Sequence, residues 1–399
     1  MERGTQAGAR GDRQKGAHGG TLPPPTTPYP RSVSGVRRFL WALFVLVDGL
    51  VLGLIGIGYA AVHVDPRTFW WSDLVAVVLP ALAVVFLVMT IVPAAAGRWR
   101  WVALHVVVLV LLGIRLIPFE RLPPGPSQTA GDLVVMTLNV PRHGPSAEQL
   151  AADVMGLLDA EQPGLVGLQE TAARFENQPP YRAEIASYVR PAVDSLGYRL
   201  AIPPEWETHQ PILIRPDAPG GLDVLEQAQV SLADGPGDRG ASKYVRTHFR
   251  WKDREAVHYN IHLRYFGQEK PWEADVRLFR PATWLPFVQR YREAYRRRAA
   301  EVEQIARVIE EETLPVIVSG DFNATANNWS YRQLADGRRD AFRIAGSGWG
   351  GTYRGDIPVV RIDHVLVDPA FEVAGARVPA VTFSDHRPLV VRLRWRDAE

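Results

Sequence analysis

Cysteine is absent from the 399 residues. That excludes disulfides, a thiolate nucleophile, zinc–cysteine sites and iron–sulfur clusters. Lysine is nearly absent, with four residues against 41 arginines, a bias that reads as genomic base composition more than as function. There is no G-x-S-x-G, P-loop or H-E-x-x-H sequence. A serine-nucleophile elbow, a Walker-type phosphate cradle and a zincin helix are thereby excluded. There is no internal repeat. What is present is ample apolar material, 47% of residues against 22% charged, which excludes disorder of the whole chain. The length accommodates a membrane part plus one large domain.

The formal net charge of +2 is unevenly spread. Residues 1–38 hold seven basic and two acidic groups, residues 39–119 four and three, and the remainder, 120–399, is therefore net −4. The larger part of the chain is not a basic, polyanion-seeking body.

Residues 1–36 are rich in Gly, Pro, Thr and Arg, lack apolar periodicity and read as a disordered tail. The first apolar run starts late and is long, unlike a secretory signal. Three runs have spanning length: Phe39–Val62, with Asp48 its one charge; Leu74–Ala96, uncharged, with Pro80; and Trp101–Phe119, with His105 and Arg115. About 20 apolar residues cross a bilayer as helix. A membrane anchor of three transmembrane helices is therefore expected over residues 37–120. Arg115 is close enough to its span's end to snorkel. Asp48 and His105 lie within spans, where an ionisable group is either functional or, the favoured reading, engaged in a helix–helix hydrogen bond.

Arg31, Arg37, Arg38, Arg98 and Arg100 place the basic side at the N-terminus and the second connection. With three spans, the N-terminus is then cytoplasmic and the C-terminal domain extracytoplasmic. Trp70, Trp71, Trp99 and Trp101 stand where interfacial aromatics are expected. The Pro/Gly-rich stretch 121–131 reads as a linker.

From residue 132 to 399, β-rich runs recur at Leu133–Asn139, Leu165–Gln169, Val257–Leu263, Pro315–Ser319, Ile362–Val367 and Leu389–Leu393. Amphipathic helical patterns lie at Ser146–Asp159 and Pro281–Glu312. A mixed sheet in an α/β domain is expected. Nearly every run delivers a chemistry-capable residue at or just past its C-terminal end, as with Asn139, Glu170, Asn260 with His262, and Asp321 with Asn323; Asp363 lies in RIDH between apolar neighbours, and Asp385 with His386 precede the last strand. A lone Asp or Asn at a strand end usually forms a turn. Six such sites suggest metal-assisted attack on phosphorus. Glu170 and Asn139 are oxygen ligands suited to Mg²⁺ or Mn²⁺. An Asp363–His386 pair would hold one imidazole tautomer, Asp321 would orient or deprotonate a water, Asn323 would position the phosphate, and His262 would donate to an oxygen.

The ordered set LN(139), QE(170), NIH(260–262), GDFN(320–323), IDH(362–364) and SDHRP(384–388) resembles the endonuclease/exonuclease/phosphatase, or DNase I-like, superfamily over roughly Asp132 to Arg394. The resemblance implies a four-layer α/β sandwich behind the three transmembrane helices. It implies His262, Asp321, Asn323, Asp363 and His386 as catalytic residues, Asn139, Glu170 and Asp385 as metal ligands, and Asn260 and Arg264 as substrate-binding. Departures are Pro163-Gly164 where Pro-Asp is frequent, Ile261 before the first histidine, and His364 where an apolar residue is common.

The superfamily includes nucleases, sphingomyelinases and inositol-phosphate phosphatases. The order of spans followed by this domain also resembles actinomycete membrane proteins associated with glycopeptide resistance. The expected function is a membrane-anchored, Mg²⁺-dependent phosphoesterase acting on a phospholipid or isoprenoid-linked phosphate. The alternatives are a surface-tethered nuclease acting on extracellular DNA and a catalytically inactive envelope interaction module.

Overall fold

The computed structural model describes residues 32–117, 131–140, 146–171, 189–201, 210–232, 243–266, 277, 279–354 and 359–396. The expected tail up to residue 31 and all of the expected linker but Gly131 lie outside them. The residues before Asp48 are the first half of helix α1, and Asp48–Glu399 forms one compact unit.

The N-terminal helices are α1 (Ser32–Ala60), extended by a 3-10 turn at Ala61–His63, then α2 (Pro66–Val77), α3 (Leu79–Met89), α4 (Ile91–Ala95) and α5 (Trp99–Leu116). Gly35–His63 and Trp99–Leu116 are each long and apolar enough to cross a membrane, and Pro66–Val77 with Leu79–Ala95 makes a third, bent by 56°. The second expected span is thus broken. Pro80 sits in the first turn of α3, where it has no N–H to bond back into α2, so one straight helix cannot continue through it. The outward faces carry exposed Leu50, Leu54, Val84, Leu87, Val88, Val107, Val110 and Ile114. Inside, Ile55, Leu79, Phe86 and Leu112 pack together. Asp48 and His105 are fully buried and meet at 3.1 Å, with Thr90 Oγ1 3.0 Å from the other imidazole nitrogen.

Among the described residues, the rest is built on twelve strands and five helices. In order they are β1 (Leu133–Asn139), α6 (Ala147–Glu161), β2 (Leu165–Gln169), α7 (Arg190–Leu196), β3 (Arg199–Leu200), β4 (Ile212–Ile214), β5 (Leu222–Ser231), β6 (Lys243–Trp251) and β7 (Arg254–His262). There follow α8 (Pro281–Glu310), β8 (Val316–Asp321), α9 (Trp329–Ala335), β9 (Arg339–Asp340), α10 (Ala341–Ala345), β10 (Asp363–Val367), β11 (Phe371–Arg377) and β12 (Leu389–Trp395). One sheet has the order β11-β12-β1-β2-β4-β3 and the other β5-β6-β7-β8-β10-β9. Both are mixed. β1 pairs with β2, and β7 with β8, in parallel, each pair joined through one helix; the remaining pairs are antiparallel.

Side-chain alternation along the strands makes four layers. On β1, Val134, Met136 and Leu138 face Leu150, Val154 and Leu158 of α6. On β7 and β8, Val257, Tyr259, Ile261, Val316 and Val318 face Val302, Ile305 and Ile309 of α8. The opposite parity, Leu133, Val135, Leu165, Val245, Ile317, Val365 and Val391, fills the seam between the sheets. The order is helix, sheet, sheet, helix. α6 begins where Ser146 Oγ accepts the Gln149 N–H at 3.1 Å, a side-chain cap at the expected position.

Candidate active site

The same parity that makes the seam apolar at one end makes it polar at the other. Continuing the inward positions of β1 past Val135 gives Thr137 and Asn139; those of β2 give Gln169; those of β7 give His258, Asn260 and His262; those of β8 give Ser319 and Asp321. All are buried or nearly so. A buried polar group is costly unless bonded, and these are. Gln169 Nε2 donates to Asn260 Oδ1 (2.6 Å) and Thr137 Oγ1 (3.0 Å), Asn260 Nδ2 donates to the Leu168 carbonyl (3.0 Å), and His258 Nε2 lies 2.7 Å from Ser319 Oγ. Burial depresses the His258 pKa to about 3.

At the open end of the seam, Asp321 is the hub. Its Oδ2 accepts from Asn139 Nδ2 (3.0 Å) and Asn323 Nδ2 (3.3 Å), and its Oδ1 from the Asn323 N–H (2.8 Å). His262 Nε2 is 3.8 Å from Asp321 Oδ2 and 3.5 Å from Glu170 Oε1. His386 Nδ1 is 2.9 Å from Asp363 Oδ2, and its Nε2 is 3.9 Å from Asp321 Oδ2. Burial, and next the charge of Asp363, raise the Asp321 pKa, against the two histidines. Burial pulls His386 down, but Asp363 first and then Asp321 and Asp385 outweigh it and lift the imidazole to about 10.

The backbone is shaped to deliver these groups. Gly320 has φ of +140°, and a Cβ there would lie 1.9 Å from the Ile261 carbonyl oxygen, so only glycine lets β8 approach β7 beside Asp321. Glu170 and Asn323 both adopt left-handed φ, 54° and 47°, uncommon for residues other than glycine. Thr352 Oγ1 accepts from the N–H groups of Ile362 and Asp363, 3.1 Å each. Ser384 Oγ donates to the Asn139 carbonyl (2.8 Å) and accepts the His386 N–H (3.0 Å). Tyr353 tilts against the His386 ring, centroids 4.9 Å apart.

The structure therefore brings together Asn139, Glu170, His262, Asp321, Asn323, Asp363 and His386. Asp385 is exposed beside them and acts on His386 through its charge. Asn260 stands two positions back along β7 and bridges the sheets. Arg264 turns toward α8, where its Nε donates to Glu301 at 3.2 Å while its carbonyl accepts from Arg298. The supporting residues Thr352 and Tyr353 carry no motif and were not legible; Gln169 lies inside QE(170) and Ser384 inside SDHRP, but they read there only as neighbours of Glu170 and of Asp385 and His386. His364, which departs from the usual pattern, is buried on the helix side of β10. Its Nε2 lies 2.9 Å from the Ala324 carbonyl and its Nδ1 3.0 Å from Arg361.

The donor set fits a hard divalent cation. Its carboxylate and amide oxygens suit Mg²⁺ or Mn²⁺. Asp321, Asp363 and His386 present ligand atoms within 4.8 Å of one another. Asp363 Oδ1 is buried with no hydrogen-bond partner among the described residues, an oxygen that a positive charge would satisfy.

Two sandwiched mixed sheets with a carboxylate–histidine cluster at one end of their seam define a hydrolase of the DNase I-like class. The sequence profile of the Endonuclease/Exonuclease/phosphatase family matches residues 136–386, and the chain belongs to that family, whose members hydrolyse phosphoester bonds. No curated protein matches the sequence. Similar solved structures include an endonuclease/exonuclease/phosphatase from Bacteroides vulgatus (19% identity, TM-score 0.48, covering 67% of this chain and 100% of that one). Others are the Bacteroides thetaiotaomicron mannosyl-6-phosphatase (18%, 0.47, 66% and 100%) and the human Nocturnin catalytic domain with bound sulfate (16%, 0.45, 67% and 94%).

Proposed function

We propose that this chain is a membrane-anchored, metal-dependent phosphoesterase. Its catalytic domain, residues 132–399, sits on the extracytoplasmic face and hydrolyses a phosphate ester or anhydride of a phospholipid or isoprenoid-linked phosphate. The observation that carries the catalytic reading is the convergence of Asp321, Asp363, His386, His262, Glu170 and Asn139 on one end of the seam. The lipid reading is supported by the apolar outer faces of the helices, by the net charge of −4 after residue 119, and by the high local concentration of lipid headgroups at a tethered domain.

In this reading Glu170 and Asn139, with Asp385, would hold the cation; Asn139 donates through Nδ2 to Asp321, which leaves its Oδ1 to face such an ion. A cation held there would neutralise charge on the phosphoryl oxygens. Asp321, its carboxylate made more basic by burial, orients the attacking water and takes its proton. Asn323 holds a phosphoryl oxygen. His386, charged at neutral pH and aligned by Asp363, donates a hydrogen bond to the phosphoryl group as charge builds, and His262 does so from the opposite wall. The Nδ1 contact with Asp363 sets the ring's orientation and leaves Nε2 facing the site.

The test is an assay of the full chain in detergent with Mg²⁺ or with EDTA, beside His386→Ala, against plasmid DNA, a phospholipid panel and a polyprenyl pyrophosphate. EDTA- and His386-sensitive release from lipid, with DNA untouched, is the expected result. DNA nicking with those sensitivities would replace it with a tethered nuclease. No activity on any of the three would leave an interaction module.

A further inference from the structure

The loop that leads away from Asp321 is held from two sides. On the catalytic side, the Phe322 N–H donates to the Ile362 carbonyl (2.9 Å), Asn323 Nδ2 to the Leu263 carbonyl (2.9 Å), and His364 Nε2 lies 2.9 Å from the Ala324 carbonyl. Within the loop, Asn328 Oδ1 accepts from both the N–H and the hydroxyl of Thr325, 2.8 and 2.7 Å. The remaining holds come from the N-terminal helices. Arg115, in the last turn of α5, donates through Nη2 to the Ala326 carbonyl (3.2 Å). Asp73 of α2 accepts from Asn328 Nδ2 through its carbonyl (2.8 Å) and from the Trp329 N–H through its carboxylate (3.1 Å). Asp73 is completely buried. Arg115 was expected to snorkel to the bilayer interface; it reaches instead to the partly buried Ala326 carbonyl of this loop, a charge-assisted hydrogen bond.

These contacts belong to an extended junction. Arg67 pairs with Glu303 (2.7 Å), the Trp70 ring lies 6.4 Å from that of Tyr295, and Arg332 lies 2.5 Å from His63 Nδ1. Residue numbers rise along α2 from 67 to 70 as they fall along α8 from 303 to 295, so the two helices run antiparallel, side by side.

We infer that the membrane helices are part of the catalytic architecture: Asp73 and Arg115 are positioning residues that fix the loop carrying Asn323. The inference rests on the reading of Asn323 as a phosphate-positioning group. Asn323 has the left-handed φ of 47°, a conformation that persists only where the surroundings enforce it. Removing the Asp73 carboxylate leaves the Trp329 N–H without a partner, and removing Arg115 releases Ala326, three residues from Asn323. A displacement of about 1 Å at a catalytic group costs on the order of 10²-fold in rate. The anchor then does more than set an address.

The test uses the full chain in phospholipid nanodiscs, with bis(p-nitrophenyl) phosphate and Mg²⁺ as probe. Arg115→Met and Asp73→Leu are expected to lower kcat by about tenfold or more while KM stays within about twofold. Arg115→Lys and Asp73→Asn, which keep a donor and an acceptor, should recover most of it. In an Asn323→Ala background, Arg115→Met should cost nothing further. Amide exchange across residues 322–329 should quicken in Arg115→Met, a readout that needs no turnover. Should Asp73→Leu fail to fold, the half-buried Arg115 carries the test. Wild-type kcat and exchange in folded Arg115→Met, or an additive loss with Asn323→Ala, would overturn the inference alone. An unchanged rate in Asn323→Ala itself would overturn the catalytic role of that residue, and this inference with it.

Discussion

His386 Nδ1 lies 2.9 Å from Asp363 Oδ2, while its Nε2 faces Asp321 across 3.9 Å. One imidazole is thus aligned by a carboxylate behind it and confronted by another in front. Asp363→Asn keeps the shape of the site and removes the aligning charge. Its kcat is expected to fall by about 10²- to 10⁴-fold with KM little changed. Steady-state kinetics with bis(p-nitrophenyl) phosphate and Mg²⁺ check this, and a variant within a few-fold of wild type would refute the pairing.

Glu170 is one of the proposed cation ligands and lies 3.5 Å from His262. Glu170→Gln should raise the Mg²⁺ concentration for half-maximal activity by about tenfold or more, leave thermal stability nearly unchanged, and weaken Mn²⁺ binding by titration calorimetry in parallel. Unaltered metal dependence would move the cation to the Asp321, Asp363 and His386 group.

His258 sits in the seam with its pKa depressed to about 3 by burial. Below the ordinary histidine value near 6.5 the unfolded chain takes up a proton that the folded one refuses. Stability contributed by keeping this ring neutral is complete above about pH 6.5 and drains as pH falls toward 3, by about 1.4 kcal/mol per pH unit. Urea unfolding of the wild type and of His258→Gln across that window should give a shallower acid slope for the variant; equal slopes would assign the acid loss elsewhere.

Gly320→Ala should destabilise by about 3 kcal/mol or more, because its Cβ has no room beside the Ile261 carbonyl and its φ is strained for alanine. The β7–β8 pairing would open next to Asp321, so activity should fall along with the melting temperature. Loss of neither would mean that the strands separate without cost.

Much of this was legible in the sequence. The catalytic-domain strand runs named there all form, because each couples β-branched alternation to a turn-forming polar end. The site residues were legible because they stand at strand ends: Asn139, His262 and Asp321 close β1, β7 and β8, Glu170 follows β2, Asp363 opens β10 and His386 precedes β12. Strands β5 and β6 were not foreseen. β5 lies at a sheet edge with most of its residues exposed, so little apolar alternation marks it. The roles of Asp73 and Arg115 were equally hidden. Their partners, Asn328, Trp329 and Ala326, lie more than 200 positions away, and no local pattern links an apolar helix to a loop that distant. Pro80 signalled the broken helix, but a proline in an apolar run does not say whether the helix bends or stops.

Asn260 gives the seam a further property. Apolar surfaces packed face to face resist separation but offer little resistance to sliding, since dispersion contacts change gradually with lateral shift. Hydrogen bonds weaken steeply once angle and distance are lost. Asn260 reaches from β7 across to Gln169 and to the Leu168 carbonyl on β2, and so acts as a dowel between two plates. Glu170 and His262 stand one and two residues beyond that pin, on opposite plates. The alignment of the proposed cation ligand on one sheet with the histidine on the other is set by a fully buried amide, and its tolerance is that of two hydrogen bonds.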